Sequence, residues 1–166
     1  MPEKSLQTYW LCDIAGGKGA VIAFICNYRP GVSRAIDRLA EHARVLMAEG
    51  IGVAAICSND AAAYPEDSFE EMRRFAKVHH LPFPYLHDAD QSVARAYAAL
   101  CTPDFFGYDA QAMLRYRGRL DAGRTTPPPT GARRELIEGM RAIAATGRAP
   151  SPQYPSVGCS IKWRAA

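Results

Sequence analysis

The sequence lacks an apolar segment long enough to cross a membrane. Its longest apolar run, Ala20–Cys26, is far shorter than the roughly 20 residues that a spanning helix needs. The first residues, Met1–Asp13, contain no apolar stretch of signal-peptide length. We therefore expect a cytoplasmic protein with no membrane partner.

The sequence also lacks an excess of charge of either sign. Its 20 lysine and arginine residues face 17 acidic residues, for a net charge of +3. A dedicated nucleic-acid binder carries a much stronger basic imbalance, so we expect no nucleic-acid partner. Hydrophobic residues make up 48% and charged residues 22% of the 166 residues, which is typical of one globular domain.

Cysteine and histidine are few and show no metal-binding spacing. An odd number of cysteines excludes a complete disulfide scaffold, and a reducing compartment would keep most of them as thiols. The histidines have no ligand spacing to one another or to a cysteine. We therefore expect no metal and no cofactor. These residues are the five cysteines Cys12, Cys26, Cys57, Cys101 and Cys159 and the four histidines His42, His79, His80 and His87.

Two short apolar runs with a helical pattern between them predict a parallel pair of strands. Ala20–Cys26 and Ile51–Cys57 are the continuous apolar runs of buried strands. Between them, apolar residues recur at helical spacing over Val32–Glu49, and Gly50 follows where a helix commonly stops. Strand, helix and strand of these lengths form one right-handed crossover unit.

The remaining segments extend this unit to a mixed α/β sheet with helices on both faces. Ser68 and Glu71 predict a capping box that begins a helix reaching about His79, and Asp88 with Gln91 predicts the cap of a short helix. The other predicted elements are a strand at Phe83–His87, a hairpin of Asp104–Tyr108 with Leu114–Arg119, and a last helix ending at Gly147. We expect residues 1–147 to form the domain and residues 148–166 a tail that packs on it.

Cys26 is the best candidate for a reactive thiol. It ends a central strand directly before a helix, where reactive groups collect in open α/β sheets. The partial positive charge of the helix N-terminus and the charge of Arg29 would both favour its thiolate. The alternative is that Cys26 is a small buried hydrophobe at the end of a strand.

Several segments together resemble the thioredoxin-like redoxins related to the alkyl hydroperoxide reductase and thiol-specific antioxidant family. The resemblance covers about Gln7 to Trp163 and implies a thioredoxin fold with helices on both faces of the sheet. The matching segments are FICN at Phe24–Asn27, SND at Ser58–Asp60, YPEDS at Tyr64–Ser68, FPYLHD at Phe83–Asp88, CTPDFF at Cys101–Phe106 and GCSIKW at Gly158–Trp163.

The sequence departs from that family at the second cysteine of the redox motif. The family pattern is Cys-Asn-His-Cys-Pro, whereas this chain reads Cys26-Asn27-Tyr28-Arg29-Pro30. Arg29 stands at the second cysteine position, so the ordinary motif disulfide cannot form. The resemblance therefore implies catalysis by Cys26. Arg29, which is a catalytic candidate through its charge, replaces the second thiol, and this departure argues against dithiol turnover through the motif.

The resemblance also implies a substrate-binding loop and candidate resolving thiols. Thr102 and Pro103 look like the loop in which a cis proline faces the active cysteine and leaves the preceding backbone free to pair with a substrate. Cys101 would then lie near Cys26 as a resolving thiol. Cys159 could reach the site if the tail folds back, or it could anchor the tail. Cys57 is expected to pack in the core.

Three functions remain open from the sequence. The first is a thiol–disulfide oxidoreductase, in which Cys26 attacks a protein or small-molecule disulfide and is released by Cys101, Cys159 or an external thiol such as glutathione. The second is an antioxidant thiol peroxidase, which ranks lower because residues 18–25 lack the proline and threonine that peroxiredoxins carry ahead of their cysteine. The third is a degenerate binding module without turnover.

We expect no catalytic role for three acidic residues that could be mistaken for acid–base carboxylates. Asp60, Glu66 and Asp67 lie in a turn-rich stretch, where such residues cap turns and favour solvent.

Overall fold

The computed structural model describes residues 7–27, 32–124 and 126–166, with only the backbone at 32–34. Seven strands and five α-helices follow one another along the described chain. The strands are β1 Gly19–Phe24, β2 Ile51–Cys57, β3 Tyr85–His87, β4 Cys101–Thr102, β5 Asp104–Tyr108, β6 Leu114–Gly118 and β7 Cys159–Ser160. The helices are α1 Leu11–Ile14, α2 Val32–Ala48, α3 Phe69–Val78, α4 Ser92–Tyr97 and α5 Glu135–Thr146.

The central sheet has five strands in the order β3-β2-β1-β5-β6. β1 pairs in parallel with β2, with Val21 beside Val53, and β2 pairs in parallel with β3. β5 pairs antiparallel with β1 and with β6, which makes the predicted hairpin an antiparallel edge on a parallel sheet. The mixed sheet expected from the sequence is therefore confirmed.

The sheet is buried on both faces because successive β1 residues point to opposite sides. Val21 and Ala23 pack in a cluster with residues of α2 and α5, whereas Ile22 and Phe24 pack in a second cluster with Ala94 of α4. All six β1 residues are buried, which explains why this strand reads as continuous rather than alternating apolar sequence. The prediction of helices on both faces is confirmed.

The helix caps differ in part from the sequence prediction. Ser68 accepts a hydrogen bond from the Glu71 N–H at 3.3 Å, as expected of an N-cap. The Glu71 carboxylate instead accepts a hydrogen bond from Arg74 at 2.7 Å, and the Ser68 N–H donates to the Pro65 carbonyl. Only one of the two hydrogen bonds of the predicted capping box is therefore present.

The cap of α4 also uses one of its two predicted residues. Asp88 accepts the backbone N–H groups of Val93 and Ala94 at 3.2 and 2.9 Å. Gln91 has its own amide committed elsewhere, to the carbonyl oxygens of Ser58 and Lys162. Asp88 therefore caps the helix, whereas Gln91 connects the loop after β2 to the C-terminal chain.

The last residues add a feature that no sequence period indicated. β7 pairs antiparallel with β4 as a separate two-stranded sheet, with Thr102 opposite Cys159. Ile161 is buried in the same cluster as Phe24, and its N–H donates to the Leu100 carbonyl at 3.1 Å. The C-terminal chain is thus tied to the segment that precedes β5.

None of the helices in the described ranges combines the length and the apolar character that crossing a bilayer would require.

Candidate active site

Cys26 lies two residues beyond the end of β1, and the residues before and after it are both fixed by backbone hydrogen bonds. The preceding Ile25 N–H donates to the Ile56 carbonyl at 2.9 Å, which extends the contact with β2. The following Asn27 N–H donates to Asp67 Oδ1 at 2.8 Å. Cys26 itself is only 4% exposed. Cys26 therefore lies just after a central strand, and its thiol is buried below the surface.

Thr102 supplies a polar contact to the Cys26 sulfur. Its hydroxyl donates a hydrogen bond to Cys26 Sγ, with an Oγ1–Sγ distance of 3.4 Å. The peptide bond between Thr102 and Pro103 is cis, and both residues line the cavity that Cys26 lines. A hydroxyl donor facing the sulfur stabilises negative charge there, because hydrogen bonds to charged groups are stronger than those to neutral ones.

Cys159 is brought to the same side of the site as Thr102. The two residues are direct cross-strand partners in the β4–β7 pair, and side chains of such partners lie on one face. Cys159 lines the cavity together with Cys26. Gly158 approaches so closely that a Cβ at this position would collide with the Thr102 carbonyl oxygen, so only glycine allows β7 to pack here.

Cys101 is oriented differently from Cys159. It neighbours Thr102 in β4, and successive side chains of a strand point to opposite faces. Its Sγ contacts the Pro103 carbonyl at 3.7 Å, and it is not among the described residues that line the cavity. Burial, with the nearby Asp104 carboxylate, raises the pKa of Cys101 to about 11, against the opposing effect of Arg117. At neutral pH this residue is therefore a thiol.

Cys57 belongs to the core, as predicted. It is fully buried at the end of β2. Desolvation and the Asp67 carboxylate raise its pKa to about 12. The neighbouring Tyr85 hydroxyl donates to Asn27 Oδ1 at 2.8 Å, and burial raises the pKa of Tyr85 well above its ordinary value. Both groups stay neutral at physiological pH.

Asp67 corrects the sequence interpretation of the acidic stretch. It was expected in a solvent-facing turn, but it is 4% exposed and accepts hydrogen bonds from the Asn27 N–H at 2.8 Å and from Asn59 Nδ2 at 2.9 Å. A buried carboxylate needs such donors. Asp67 is thus a positioning residue for the backbone after Cys26, and its place within the YPEDS segment was the sequence signal for it.

The cavity beside Cys26 has a volume of about 590 Å³. Its polar groups come from two places. Cys26, Thr102 and Cys159 supply one group, and Arg38 with the Arg119–Arg124 segment supplies the other. This volume lies within the range of small-molecule sites.

The other candidates are placed as follows. Arg29 lies outside the described residues. Cys12 is exposed in α1, and it is not among the described residues that line the cavity. Over the described ranges, no three histidine, cysteine or acidic side chains cluster in a way that could hold a metal ion.

Comparisons with known proteins place this geometry in a family. The profile of the AhpC/TSA family matches residues 1–119. The crystal structure of an uncharacterised conserved protein from Geobacillus kaustophilus is 42% identical, with a TM-score of 0.84 over 94% of this chain and 82% of that one. A hypothetical protein from Sinorhizobium meliloti is 39% identical, with a TM-score of 0.84 over 94% of this chain and 85% of that one. No curated protein matches the chain.

A more distant structure supports the fold alone. A secreted disulfide oxidoreductase from Mycobacterium tuberculosis is 19% identical, with a TM-score of 0.54 over 80% of this chain and 85% of that one. The mixed sheet with helices on both faces is the thioredoxin-like arrangement expected from the resemblance. The chain belongs to the AhpC/TSA family and is a thioredoxin-like redoxin.

Proposed function

We propose that the protein is a thiol–disulfide oxidoreductase whose attacking group is the Cys26 thiolate. The observation that carries this proposal is the Thr102 hydroxyl donating to Cys26 Sγ at 3.4 Å in the wall of a ligand-sized cavity. A sulfur that ends a strand, faces a hydrogen-bond donor and borders such a cavity can meet a substrate disulfide while keeping its negative charge stabilised.

The first step is attack by the Cys26 thiolate on one sulfur of a substrate disulfide. A new S–S bond joins Cys26 to one half of the substrate, and the substrate S–S bond breaks. The other half leaves as a thiolate and takes a proton from solvent. Thr102 and Pro103 border the substrate in this step, because both line the cavity. In this proposal the positive charge of Arg29, which follows Cys26 by three residues in the sequence, favours the thiolate.

Resolution needs a second thiol, and the geometry favours Cys159 over Cys101. Cys159 lines the cavity and lies opposite Thr102, whereas the pKa of Cys101 is raised to about 11. In the second step the Cys159 thiolate attacks Cys26 Sγ, the Cys26–Cys159 bond forms, and the second half of the substrate leaves. The substrate gains two electrons. Two molecules of an external thiol such as glutathione later reduce the Cys26–Cys159 bond, the first by forming a mixed disulfide and the second by releasing it as the external disulfide.

This chemistry suits an antioxidant role in thiol redox homeostasis in the cytoplasm. An odd number of cysteines is compatible with a compartment that keeps thiols reduced. Fractionation of cells followed by immunodetection tests the location, which is wrong if the protein is recovered outside the cytoplasm.

Trapping of the mixed disulfide tests the mechanism. All variants carry Cys12→Ser, because exposed Cys12 would itself react with a disulfide reagent. Cys26→Ser should abolish catalysed reduction of a small disulfide. Cys159→Ser should accumulate a mixed disulfide on Cys26, seen as added mass in intact-protein mass spectrometry. The Cys12→Ser protein without further change is the matched control.

The outcomes separate the three functions. Full activity of Cys26→Ser rejects Cys26 as the nucleophile. Accumulation in Cys101→Ser instead of Cys159→Ser assigns resolution to Cys101. Oxidation of Cys26 by hydroperoxide with no exchange with disulfides favours the thiol peroxidase. No reaction of folded protein with either reagent favours the binding module, for which the 4% exposure of Cys26 is the supporting observation.

An introduced cysteine gives an independent check of the motif position. Arg29→Cys in the Cys159→Ser background should restore turnover, because a thiol three residues after Cys26 makes resolution intramolecular. Arg29→Ser in the same background is the control, since it removes the charge without adding a thiol. If Arg29→Cys neither restores turnover nor forms a bond with Cys26 under oxidation, the thioredoxin-type placement of Cys26 is wrong.

A further inference from the structure

The backbone edge beside Cys26 is covered by the chain's own C-terminal strand. Thr102, whose hydroxyl contacts Cys26, lies opposite Cys159 of β7. Further along this ladder, the Ile161 N–H donates to the Leu100 carbonyl at 3.1 Å. Because bonded and non-bonded residue pairs alternate in an antiparallel ladder, Thr102 and Cys159 form a bonded pair. The resemblance implied that this backbone is free for a substrate, whereas in the structure it is paired with β7.

The chain after β7 is anchored in the core. Ile161 is 3% exposed and packs in the same cluster as Phe24. The Lys162 N–H donates to Asn59 Oδ1 at 2.9 Å, and the Lys162 carbonyl accepts from the Asp60 N–H at 2.9 Å. Displacing β7 from β4 would break these contacts as well as the ladder.

The chain before β7 is anchored on the edge of the central sheet. The Gln153 side chain bonds β6 as a neighbouring strand would: its Oε1 accepts from the Arg117 N–H and its Nε2 donates to the Arg115 carbonyl, both at 2.9 Å. The Arg119 N–H donates to the Tyr154 carbonyl at 3.1 Å. Since β7 is fixed at both ends, it is a permanent neighbour of Thr102.

This arrangement leaves no room for an extended polypeptide next to Thr102. Such a polypeptide binds by adding a strand to an exposed edge, and β7 already covers the edge of Thr102. A peptide on the outer edge of β7 would lie a further strand spacing of about 4.8 Å away, with β7 between it and Thr102. Cys26 is 4% exposed, so a disulfide on the surface of a folded protein does not reach its sulfur directly.

We propose that β7 excludes polypeptides from Cys26 and restricts its substrates to small-molecule disulfides, which enter the cavity that Cys26 and Cys159 line. This inference rests on the function proposed above, because it names the substrate class of the Cys26 thiolate. Cys159 stands directly opposite Thr102, where a cysteine of a bound polypeptide would lie. The same strand therefore supplies the resolving thiol and blocks larger substrates.

Two probes that share one reacting disulfide test the exclusion. Each joins a cysteine sulfur to thionitrobenzoate; the cysteine is N-acetylcysteine amide in the small probe and the centre of an extended peptide of about six residues, the length of a strand, in the other. The Cys26 thiolate attacks the cysteine sulfur, the new S–S bond forms, and coloured thionitrobenzoate leaves as the thiolate. The parent protein carries Cys12→Ser and Cys159→Ser, and peptide mapping locates the label.

The parent protein should react with the small probe at least about tenfold faster than with the peptide probe, because the peptide must first displace two backbone hydrogen bonds. The ratio is taken relative to that of free N-acetylcysteine, which measures the intrinsic reactivities of the two probes. Relative rates that are equal for the two probes would overturn the exclusion.

A pair of glycine variants displaces β7 or leaves it in place. A Cβ at Gly158 would collide with the Thr102 carbonyl oxygen, whereas nothing lies close to a Cβ at Gly17. Gly158→Ala should raise the rate with the peptide probe at least about tenfold, towards that with the small probe. Gly17→Ala is the matched control and should leave both rates unchanged. A peptide rate that folded Gly158→Ala leaves unchanged would contradict the role of β7.

Hydrogen exchange tests the occupied edge without any reaction at sulfur and without a glycine variant. The amide hydrogens of Thr102 and Cys159 should be protected in the parent protein, because each is bonded within the β4–β7 ladder. Exchange at the rate of an unstructured chain would overturn the inference, even if Cys26 reduces disulfides.

Failure of the proposed function gives a different result. If neither probe labels Cys26 in folded protein, the thiol function fails. The exclusion is then decided by calorimetric titration with the peptide carrying serine in place of its cysteine. Binding to Gly158→Ala but not to the parent protein upholds the exclusion, and any other pattern overturns it.

Discussion

Thr102 is the residue through which the cis-proline loop acts on the proposed nucleophile. Its hydroxyl reaches the Cys26 sulfur at 3.4 Å, and it is itself 8% exposed. Hydrogen bonds made away from water are stronger than those exposed to it. This contact between β4 and Cys26 is therefore suited to support negative charge on the sulfur.

Replacing Thr102 by valine should slow the reaction of Cys26 with a small disulfide. Valine keeps the shape but removes the hydroxyl, and the loss of one hydrogen bond of about 1 kcal/mol corresponds to about a fivefold lower rate. Stopped-flow measurement of the rate at pH 7, in the Cys12→Ser background, checks this. Thr102→Ser retains the hydroxyl and should recover most of the rate. Equal rates for Thr102→Val and the unchanged protein would show that the contact does not assist the reaction.

At the scale of elements, the segment between β2 and α3 holds the end of β1 in place. Asp67 is the last residue of the 3₁₀ turn Pro65–Asp67 in this segment, and its carboxylate accepts hydrogen bonds from both Asn27 and Asn59. Asn59 in turn accepts from the Lys162 N–H at 2.9 Å. The chain after Cys26, the loop after β2 and the C-terminal chain after β7 thus share one hydrogen-bond network. This network connects the segment that carries Cys26 to the segment that follows Cys159.

Asp67→Ala should destabilise the fold by about 2 kcal/mol, because it leaves the buried Asn27 N–H without its acceptor. Urea denaturation measures the free energy of unfolding. Glu66→Ala is the matched control, since the Glu66 side chain is exposed and only its backbone carbonyl takes part, accepting from Asn27 Nδ2 at 3.0 Å. A loss in Asp67→Ala no larger than in Glu66→Ala would mean that the carboxylate does not position this loop.

At the scale of the whole molecule, stability depends on groups that are buried in their neutral form. His42 in α2 and His87 in β3 both have pKa values lowered mainly by burial, because desolvation disfavours the charged imidazolium. For His42, Asp121 and Glu41 act against burial, whereas Arg134 and Arg38 act with it. Each histidine also has a buried ring nitrogen with no hydrogen-bond partner in the described part of the chain.

The free energy of unfolding should therefore fall as the pH is lowered from 7.5 to 5.5. A folded pKa below the unfolded value of about 6.5 means that the unfolded chain binds more protons in this range, so the stabilisation is present above pH 6.5 and is lost as the pH falls through the folded pKa. Urea denaturation at several pH values measures the slope.

Substitution of the two classes of histidine checks the assignment. His42→Gln should reduce the dependence on pH, because glutamine does not titrate. His80→Asn is the control: His80 is exposed with a φ of 49°, which asparagine also tolerates, and the slope should not change. An unchanged slope in His42→Gln would show that His42 is not the source of the pH dependence.

Local patterns in the sequence determined much of the fold. The spacing of apolar residues predicted α2, because a helix with one buried face has apolar residues at helical intervals. The continuous apolar runs predicted β1 and β2, because a strand that is buried on both faces is apolar at every position. The position of Cys26 after β1 followed from the same run. The glycine at 147, with its φ of 72°, ends α5 as its type predicted.

Contacts between distant segments were decided by the tertiary structure alone. The pairing of Thr102 with Cys159 and the hydrogen bond from the Asn27 N–H to buried Asp67 join residues that are far apart in sequence. Such contacts produce no periodic pattern within a single segment of the sequence. From the sequence, Cys101 is the favoured catalytic partner of Cys26 and Cys159 a possible resolving thiol, whereas of these two cysteines only Cys159 lines the cavity. Side chains alternate between the two faces of a strand, but which of them point into the cavity is fixed only by the register with the neighbouring strand.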